Sequence, residues 1–107
     1  MLVKKDKAIA AKKISNLLLD PVAQKIIEIL KENPDLPTTD LRGKCGDSVN
    51  EQSFYTNLKK LTVYGLVERK VGEDRRVRYR FTKFGERIQK EAEKFQNTVK
   101  ECLFNEI

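Results

Sequence analysis

One hexapeptide limits the fold more than any other stretch. Arg76-Val77-Arg78-Tyr79-Arg80-Phe81 alternates strictly, with Val77, Tyr79 and Phe81 on one side and Arg76, Arg78 and Arg80 on the other. A period of two fits a strand and not a helix, because successive strand side chains point to opposite faces. Leu66-Val67-Glu68-Arg69-Lys70-Val71 precedes it as a second strand, and Gly72-Glu73-Asp74-Arg75 between them reads as a turn. The two strands are expected to form a hairpin with one buried face and one very basic face. The rest of the chain has helical spacing, so the predicted class is mainly α with a small β-hairpin.

The helical segments carry their own punctuation. Lys4 to Leu19 reads as a helix, with Ala10, Ile14, Leu17 and Leu18 at helical spacing. Asp20-Pro21 restarts the chain, with Asp as N-cap and Pro in the first helical position. Val22, Ala23, Ile26, Ile27 and Leu30 form the next apolar stripe, and Asn33-Pro34 ends it. Leu36-Pro37 is a short extended piece. Thr38-Thr39-Asp40 offers capping oxygens for a small helix over about residues 40–45, with Leu41 inward and Gly46 as its stop. Ser48-Val49-Asn50-Glu51 fits a capping box, so a longer helix is expected from there to about Tyr64. Phe54, Leu58 and Leu61 are its apolar face, and Gly65 closes it.

From Thr82 the helical period returns and lasts to the end. Phe84, Ile88, Ala92, Phe95, Val99 and Cys102 step by four or three, and from Ile88 onward they form a heptad seam. Leu103, Phe104 and Ile107 add apolar surface at the tip. A small domain cannot cover a helix of about 25 residues at ~1.5 Å per residue along its whole length. An exposed seam of this kind meets a partner. The expected partner is a second copy of the chain, with Ile88, Ala92, Phe95, Val99, Cys102 and Leu103 in the interface.

Charge and composition exclude several classes. Arg42 to Lys83 holds eleven basic and five acidic residues, while the rest of the chain holds eleven of each. The whole net charge of +6 therefore lies in one central block, the electrostatic footprint of a polyanion partner. The alternative is a solubilising surface. There is no His, and the two cysteines, Cys45 and Cys102, stand far apart. That removes the usual general base and any Cys/His zinc set. No Gly-rich phosphate loop occurs, so no catalytic residue, metal or cofactor is assigned. No apolar run approaches the ~20 residues of a spanning helix. The first residues lack the apolar centre of a secretory signal, so a cytoplasmic, nucleoid-associated location without membrane contact is expected.

Two central helices joined by a short Gly-containing turn and followed by a basic hairpin have the order of a winged helix-turn-helix. Asn57-Leu58-Lys59-Lys60-Leu61-Thr62-Val63-Tyr64-Gly65-Leu66-Val67-Glu68-Arg69 resembles the recognition-helix-to-wing segment of MarR/ArsR-type transcriptional regulators. Their pattern there is Leu-x-x-Leu-x-x-x-Gly-Leu-Val-x-Arg. Tyr79-Arg80-Phe81-Thr82-Lys83-Phe84-Gly85 is similar to the Tyr-x-Leu-Thr-x-x-Gly that ends their wing, with Phe81 in place of Leu. The resemblance covers about residues 20–90. It implies a DNA-binding regulator that acts as a homodimer. The division it suggests is an N-terminal helix (1–19), a winged helix-turn-helix domain (20–82) and a C-terminal dimerisation helix (83–107). Small size, Lys/Glu richness and the lack of His point to an archaeal or archaeal-virus version.

The residues agree with that reading. With Phe54, Leu58 and Leu61 at the back of the helix, Gln52, Thr56 and Lys59 fall opposite at 100° per residue, with Ser53 and Lys60 beside them. Gln can pair bidentately with adenine, Lys can reach guanine, and Thr can touch a thymine methyl. Asn50 sits at the helix N-terminus, where this motif approaches bases or phosphate. Tyr55 lies on the flank, within reach of a phosphate. Arg69, Arg75, Arg76, Arg78 and Arg80 are the wing candidates for backbone or minor groove. A basic strand also guards against edge-to-edge aggregation, and Glu73 and Asp74 oppose deep insertion of the tip. Metal sensing of the resembled family needs Cys pairs and His, whereas Cys45 and Cys102 each stand alone. Cys45 reads as a small buried side chain. Cys102, on the seam, can face its symmetry mate. Three functions fit these features: a sequence-specific dimeric regulator of double-stranded DNA, a non-specific architectural DNA-binding protein, and a protein-interaction winged helix.

Overall fold

The computed structural model describes the backbone of residues 4–105 and the side chains of residues 9–103. Phe104 and Ile107, expected to extend the apolar tip, and the first residues, read against a secretory signal, lie outside those side chains. Five helices and three strands follow in the order α1 (Lys4–Leu19), α2 (Pro21–Glu32), β1 (Leu36–Pro37), α3 (Thr38–Cys45), α4 (Glu51–Val63), β2 (Val67–Val71), β3 (Val77–Phe81) and α5 (Lys83–Asn105).

The core is built where the helical stripes converge. Ala23, Ile26, Ile27 and Leu30 of α2 meet Leu41 and Cys45 of α3 and Phe54, Leu58 and Leu61 of α4. Leu66, Val67 and Phe81 close the cluster from the base of the hairpin, and Leu17 joins it from α1. The Asp20 carboxylate accepts from the Val22 and Ala23 amides, with Pro21 in the first turn, as the sequence predicts. Gly46 ends α3 with φ +83°.

Three local expectations need correction. First, α4 is capped by Asn50, whose carbonyl oxygen accepts from the Gln52 and Ser53 amides; Ser48 is not the cap. Asn is as good an N-cap as Ser, and its position next to the helix wins. Second, α3 begins at Thr38, with Pro37 as N-cap and no side-chain capping bond. The Thr38 hydroxyl is drawn away to donate to the Val77 carbonyl at 3.2 Å. Third, the hairpin is not alone. Leu36 and Pro37 pair antiparallel with Tyr79 and Arg78, giving a three-stranded sheet in the order β1-β3-β2.

The junction between α4, the hairpin and α5 explains the Gly-Leu-Val and Phe-Thr-x-x-Gly motifs physically. Gly65 takes φ +79°, its amide donates to the Thr62 carbonyl, and the Leu66 amide donates to the Leu61 carbonyl. These two bonds form the helix-ending Schellman arrangement, which favours glycine. The Thr82 amide and hydroxyl both donate to the Leu66 carbonyl, and the hydroxyl also reaches the Gly65 carbonyl at 2.7 Å. The same hydroxyl accepts from the Gly85 amide and so caps α5. A Cβ at Gly85 would lie 2.6 Å from both the Leu66 carbonyl oxygen and the Phe81 ring. Only glycine lets α5 start this close to the hairpin.

Candidate nucleic-acid interface

Helix α4 has a sharp division between its faces. Phe54, Asn57, Leu58 and Leu61 are buried, and the Asn57 amide nitrogen is satisfied by the Ser53 carbonyl at 2.8 Å. Gln52, Tyr55, Thr56, Lys59 and Lys60 are exposed and Ser53 is half-buried. The helical spacing therefore places the expected polar row on the open side. Asn50 is exposed too, but its side-chain oxygen is already engaged as the cap. Tyr55 rests edge-on against Phe54, ring centres 5.0 Å apart.

Arg42 anchors the turn that leads into α4. Its guanidinium donates to the Gly46 carbonyl at 3.2 Å and the Val49 carbonyl at 2.9 Å, and sits 5.6 Å from the centre of the Phe54 ring. One basic residue of the central block thus holds the helix-turn-helix rather than facing outward.

The hairpin turn is a tight loop. The Arg75 amide donates to the Gly72 carbonyl, the Gly72 amide to the Arg76 carbonyl, and the Arg76 amide to the Asp74 carboxylate. Arg75 sits at the tip with φ +64°, a left-handed position usually given to Gly or Asn. The β2–β3 register pairs Val67 with Phe81, Arg69 with Tyr79 and Lys70 with Arg78. Alternation then sets Arg69 on the face of Val77, Tyr79 and Phe81, not with Arg76, Arg78 and Arg80. The burial of the apolar face is confined to its base: Val67 and Phe81 are buried, whereas Val71 is 58% exposed.

The basic face of the hairpin carries its own counter-ions. Arg80 grips Asp35 with two bonds, Nε to Oδ1 at 3.2 Å and Nη2 to Oδ2 at 2.9 Å. Arg78 donates to the Asp74 carboxylate at 2.7 Å and to the Asp35 backbone carbonyl at 3.2 Å. Arg76 lies 3.8 Å from Asp40. Glu68, opposite Arg80 in the register, adds a further negative charge. Asp35 and Asp40 precede the basic block in sequence, and β1 and α3 fold them onto it. The guanidinium of Arg80 holds the Asp35 carboxyl below the usual carboxylate range, and that of Arg78 does the same for Asp74. Among the described residues, Arg69, Lys70, Arg75, Lys59 and Lys60 form no ion pair.

A second surface is apolar. Ile14 and Leu18 of α1, Tyr64 after α4, and Phe84, Ile88 and Phe95 of α5 border a groove of about 1030 Å³. The seam of α5 divides along its length. Ile88 and Ala92 are half-buried, whereas Phe95 is 70% exposed, and Val99, Cys102 and Leu103 are also open. Cys45 is buried among apolar side chains, and that burial pushes its thiol pKa up. Among the described residues no cluster of three potential metal ligands occurs, and no helix is long and apolar enough to cross a membrane.

Comparison with known proteins gives the class of fold. No family model and no curated protein matches the sequence. Solved structures do. A MarR-family transcriptional regulator from Silicibacter pomeroyi aligns over 91% of this chain, with 23% identity and a TM-score of 0.61. The chain spans 65% of that protein's length. The homodimeric winged helix-turn-helix DNA-binding domain of a possible ArsR-family regulator from Mycobacterium bovis aligns over 95% of this chain and 91% of its own, with 20% identity and a TM-score of 0.64. Streptococcus pneumoniae FabT, solved in complex with DNA, aligns over 94% of this chain and 75% of its own, with 21% identity and a TM-score of 0.52. The chain has the winged-helix fold: α3 and α4 are the helix-turn-helix, the β2–β3 hairpin is the wing, and a long C-terminal helix follows.

Proposed function

We propose that this protein is a sequence-specific, double-stranded DNA-binding transcriptional regulator that acts as a homodimer, and not an enzyme. One observation carries the reading. Helix α4 is held from behind by a fully buried stripe and turns Gln52, Thr56 and Lys59 to solvent in a winged-helix frame. In the major groove these side chains meet base edges, with Ser53, Tyr55 and Lys60 toward the phosphates. Asn50 keeps its amide nitrogen for a base or phosphate while its oxygen caps the helix. On the wing, Arg75 at the tip and Arg69 approach the backbone or minor groove directly. Arg76, Arg78 and Arg80 join them only once the base contacts of α4 seat the wing, when a phosphate takes the place of each carboxylate. DNA-bound FabT supports the ligand, and the Mycobacterium bovis domain supports the dimer.

The dimer is assigned to the apolar surface of α1 and α5. Residues 1–19 and 83–107 serve association and 20–82 serve DNA. Ile88, Ala92, Phe95, Val99, Cys102 and Leu103 then meet the second copy. Two α4 helices ~34 Å apart read an inverted repeat on one side of the duplex. The protein works on the nucleoid, in the cytoplasm. The charge-balanced strand β3 argues against the architectural alternative, because non-specific binding rests on cations released from their counter-ions onto phosphate. The protein-interaction alternative would leave the polar row of α4 without a nucleic-acid role.

Selection from a random duplex library with excess non-specific competitor tests the proposal. Enrichment of an inverted repeat is expected. Retention without a motif contradicts specificity, and no retention even at low salt contradicts DNA binding. Sedimentation of the full chain and of a chain ending at Lys90 tests the dimer: the first is expected to be dimeric and the second monomeric with much weaker binding.

A further inference from the structure

We propose that Asp35 is a specificity-determining residue of the DNA interface: it occupies the guanidinium fork of Arg80 as a built-in substitute for phosphate. The inference rests on the DNA-binding reading above and names a device that limits sequence-independent attraction. The geometry is the paired, fork-to-fork arrangement in which arginine takes either carboxylate or phosphate. Nε meets Oδ1 at 3.2 Å and Nη2 meets Oδ2 at 2.9 Å. Both side chains of the pair are 44% exposed, so the contact is within reach of a competing anion and of salt.

Asp35 holds more than one arginine. Its backbone carbonyl accepts from Arg78 Nη1 at 3.2 Å, while the other arm of Arg78 is held by Asp74. The residue sits with φ +59°, a left-handed conformation, on the connection between Asn33-Pro34 and β1. Pairing of Leu36 with Tyr79 brings it beside β3. A carboxylate reaching into a basic strand from outside it is therefore set by the backbone.

The consequence is thermodynamic. Each phosphate contact adds about 0.9 to the slope of log affinity against log salt, and non-specific binding is mostly this term. An arginine already neutralised by Asp35 gains less from any phosphate it meets. Random duplex is thereby disfavoured, while the base contacts of α4 are untouched. Asp35 thus widens the gap between specific and non-specific binding without touching a base.

The test is Asp35→Asn in the full chain, measured against a random-sequence duplex over a salt series. Asn tolerates the left-handed backbone, and the bond from Arg78 goes to the main-chain carbonyl, so the fold is kept. An unchanged circular dichroism spectrum and a melting temperature within a few degrees are expected, as for other exposed pairs. Affinity for random duplex should rise on the order of 5–10-fold at 0.1 M salt, with the slope steeper by about 0.9. Glu68→Gln changes the charge equally on the same face and frees no bidentate fork, so its gain should be clearly smaller. Equal gains for the two variants, an unchanged slope, or weaker binding by Asp35→Asn overturns the proposal. A wild-type protein that holds no duplex at low salt overturns the DNA reading and this inference together. Wild-type binding with an unaltered Asp35→Asn overturns this inference alone.

Discussion

Helix α4 and strand β3 look alike as sequences: each sets a buried apolar row against a polar or basic one. Folded, they behave differently. The outward row of α4 stays open, with Lys59 and Lys60 free of ion pairs among the described residues. The outward row of β3 is charge-balanced: Arg80 is bonded to Asp35, Arg78 is bonded to Asp74, and Arg76 lies 3.8 Å from Asp40. A helix face is decided by residues three and four apart on the same segment. A strand face is decided by whatever the chain lays beside it, and here that includes carboxylates from the turn before β1 and from α3. Counting charges along a sequence finds the first kind of surface and overstates the second.

Mutations separate the two surfaces. The largest effect is expected at the platform behind α4. Phe54→Ala removes a fully buried ring under the Arg42 guanidinium and should cost about 3–5 kcal/mol in chemical denaturation. A much smaller loss would mean that α4 does not depend on its buried stripe. Next comes the apolar end of α5. Phe95→Glu puts a charge on a ring that is 70% exposed in the single chain. Monomer stability should change by less than about 0.5 kcal/mol, as for other surface changes, while sedimentation reports loss of the dimer. A dimer that survives places the interface elsewhere.

Asn50→Ala should destabilise the protein by about 1 kcal/mol, the usual value of an N-cap, because two amides lose their acceptor. Ser48→Ala should leave the melting temperature unchanged. The reverse result would restore the capping box at Ser48.

The smallest effect concerns acid. Asp35 and Asp74 titrate below their ordinary values because arginines hold their charged forms. Their stabilising contribution is complete above about pH 4, the unfolded carboxylate range, and fades as pH falls through the lowered values. Thermal melts from pH 6 to pH 3 should show wild type losing more stability than the Asp35→Asn/Asp74→Asn variant. Parallel curves would mean that solvent screens the pairs completely.

Most of the frame was legible from local chemistry. Asp20-Pro21 marks the start of α2, Gly46 and Gly65 mark two helix ends, and strict alternation marks the wing, because each signal acts within a few residues. Asn50 displaced Ser48 as cap within the same four residues, a competition between two good capping side chains that spacing cannot decide. The start of α3 and the pairing of the extended Leu36-Pro37 piece were illegible for another reason. Leu36-Pro37 becomes a strand only when β3 arrives some forty residues later, and Thr38 is recruited by the Val77 carbonyl in the same event. The balance of charge on the wing belongs to that class as well, since Asp35 and Asp40 come from outside the basic block. On α4, by contrast, every exposed candidate was visible from the 100° step alone.

The most direct test compares base preference in the wild-type protein and in the Gln52→Ala/Thr56→Ala/Lys59→Ala variant, each selected from the same random duplex library. Each base contact of this kind is worth about 1–3 kcal/mol of discrimination. An inverted repeat enriched by the wild type and lost by the variant is expected, while weak, salt-sensitive binding to any duplex remains. The same motif enriched by both proteins would contradict it, because sequence would then be read by something other than the open face of α4.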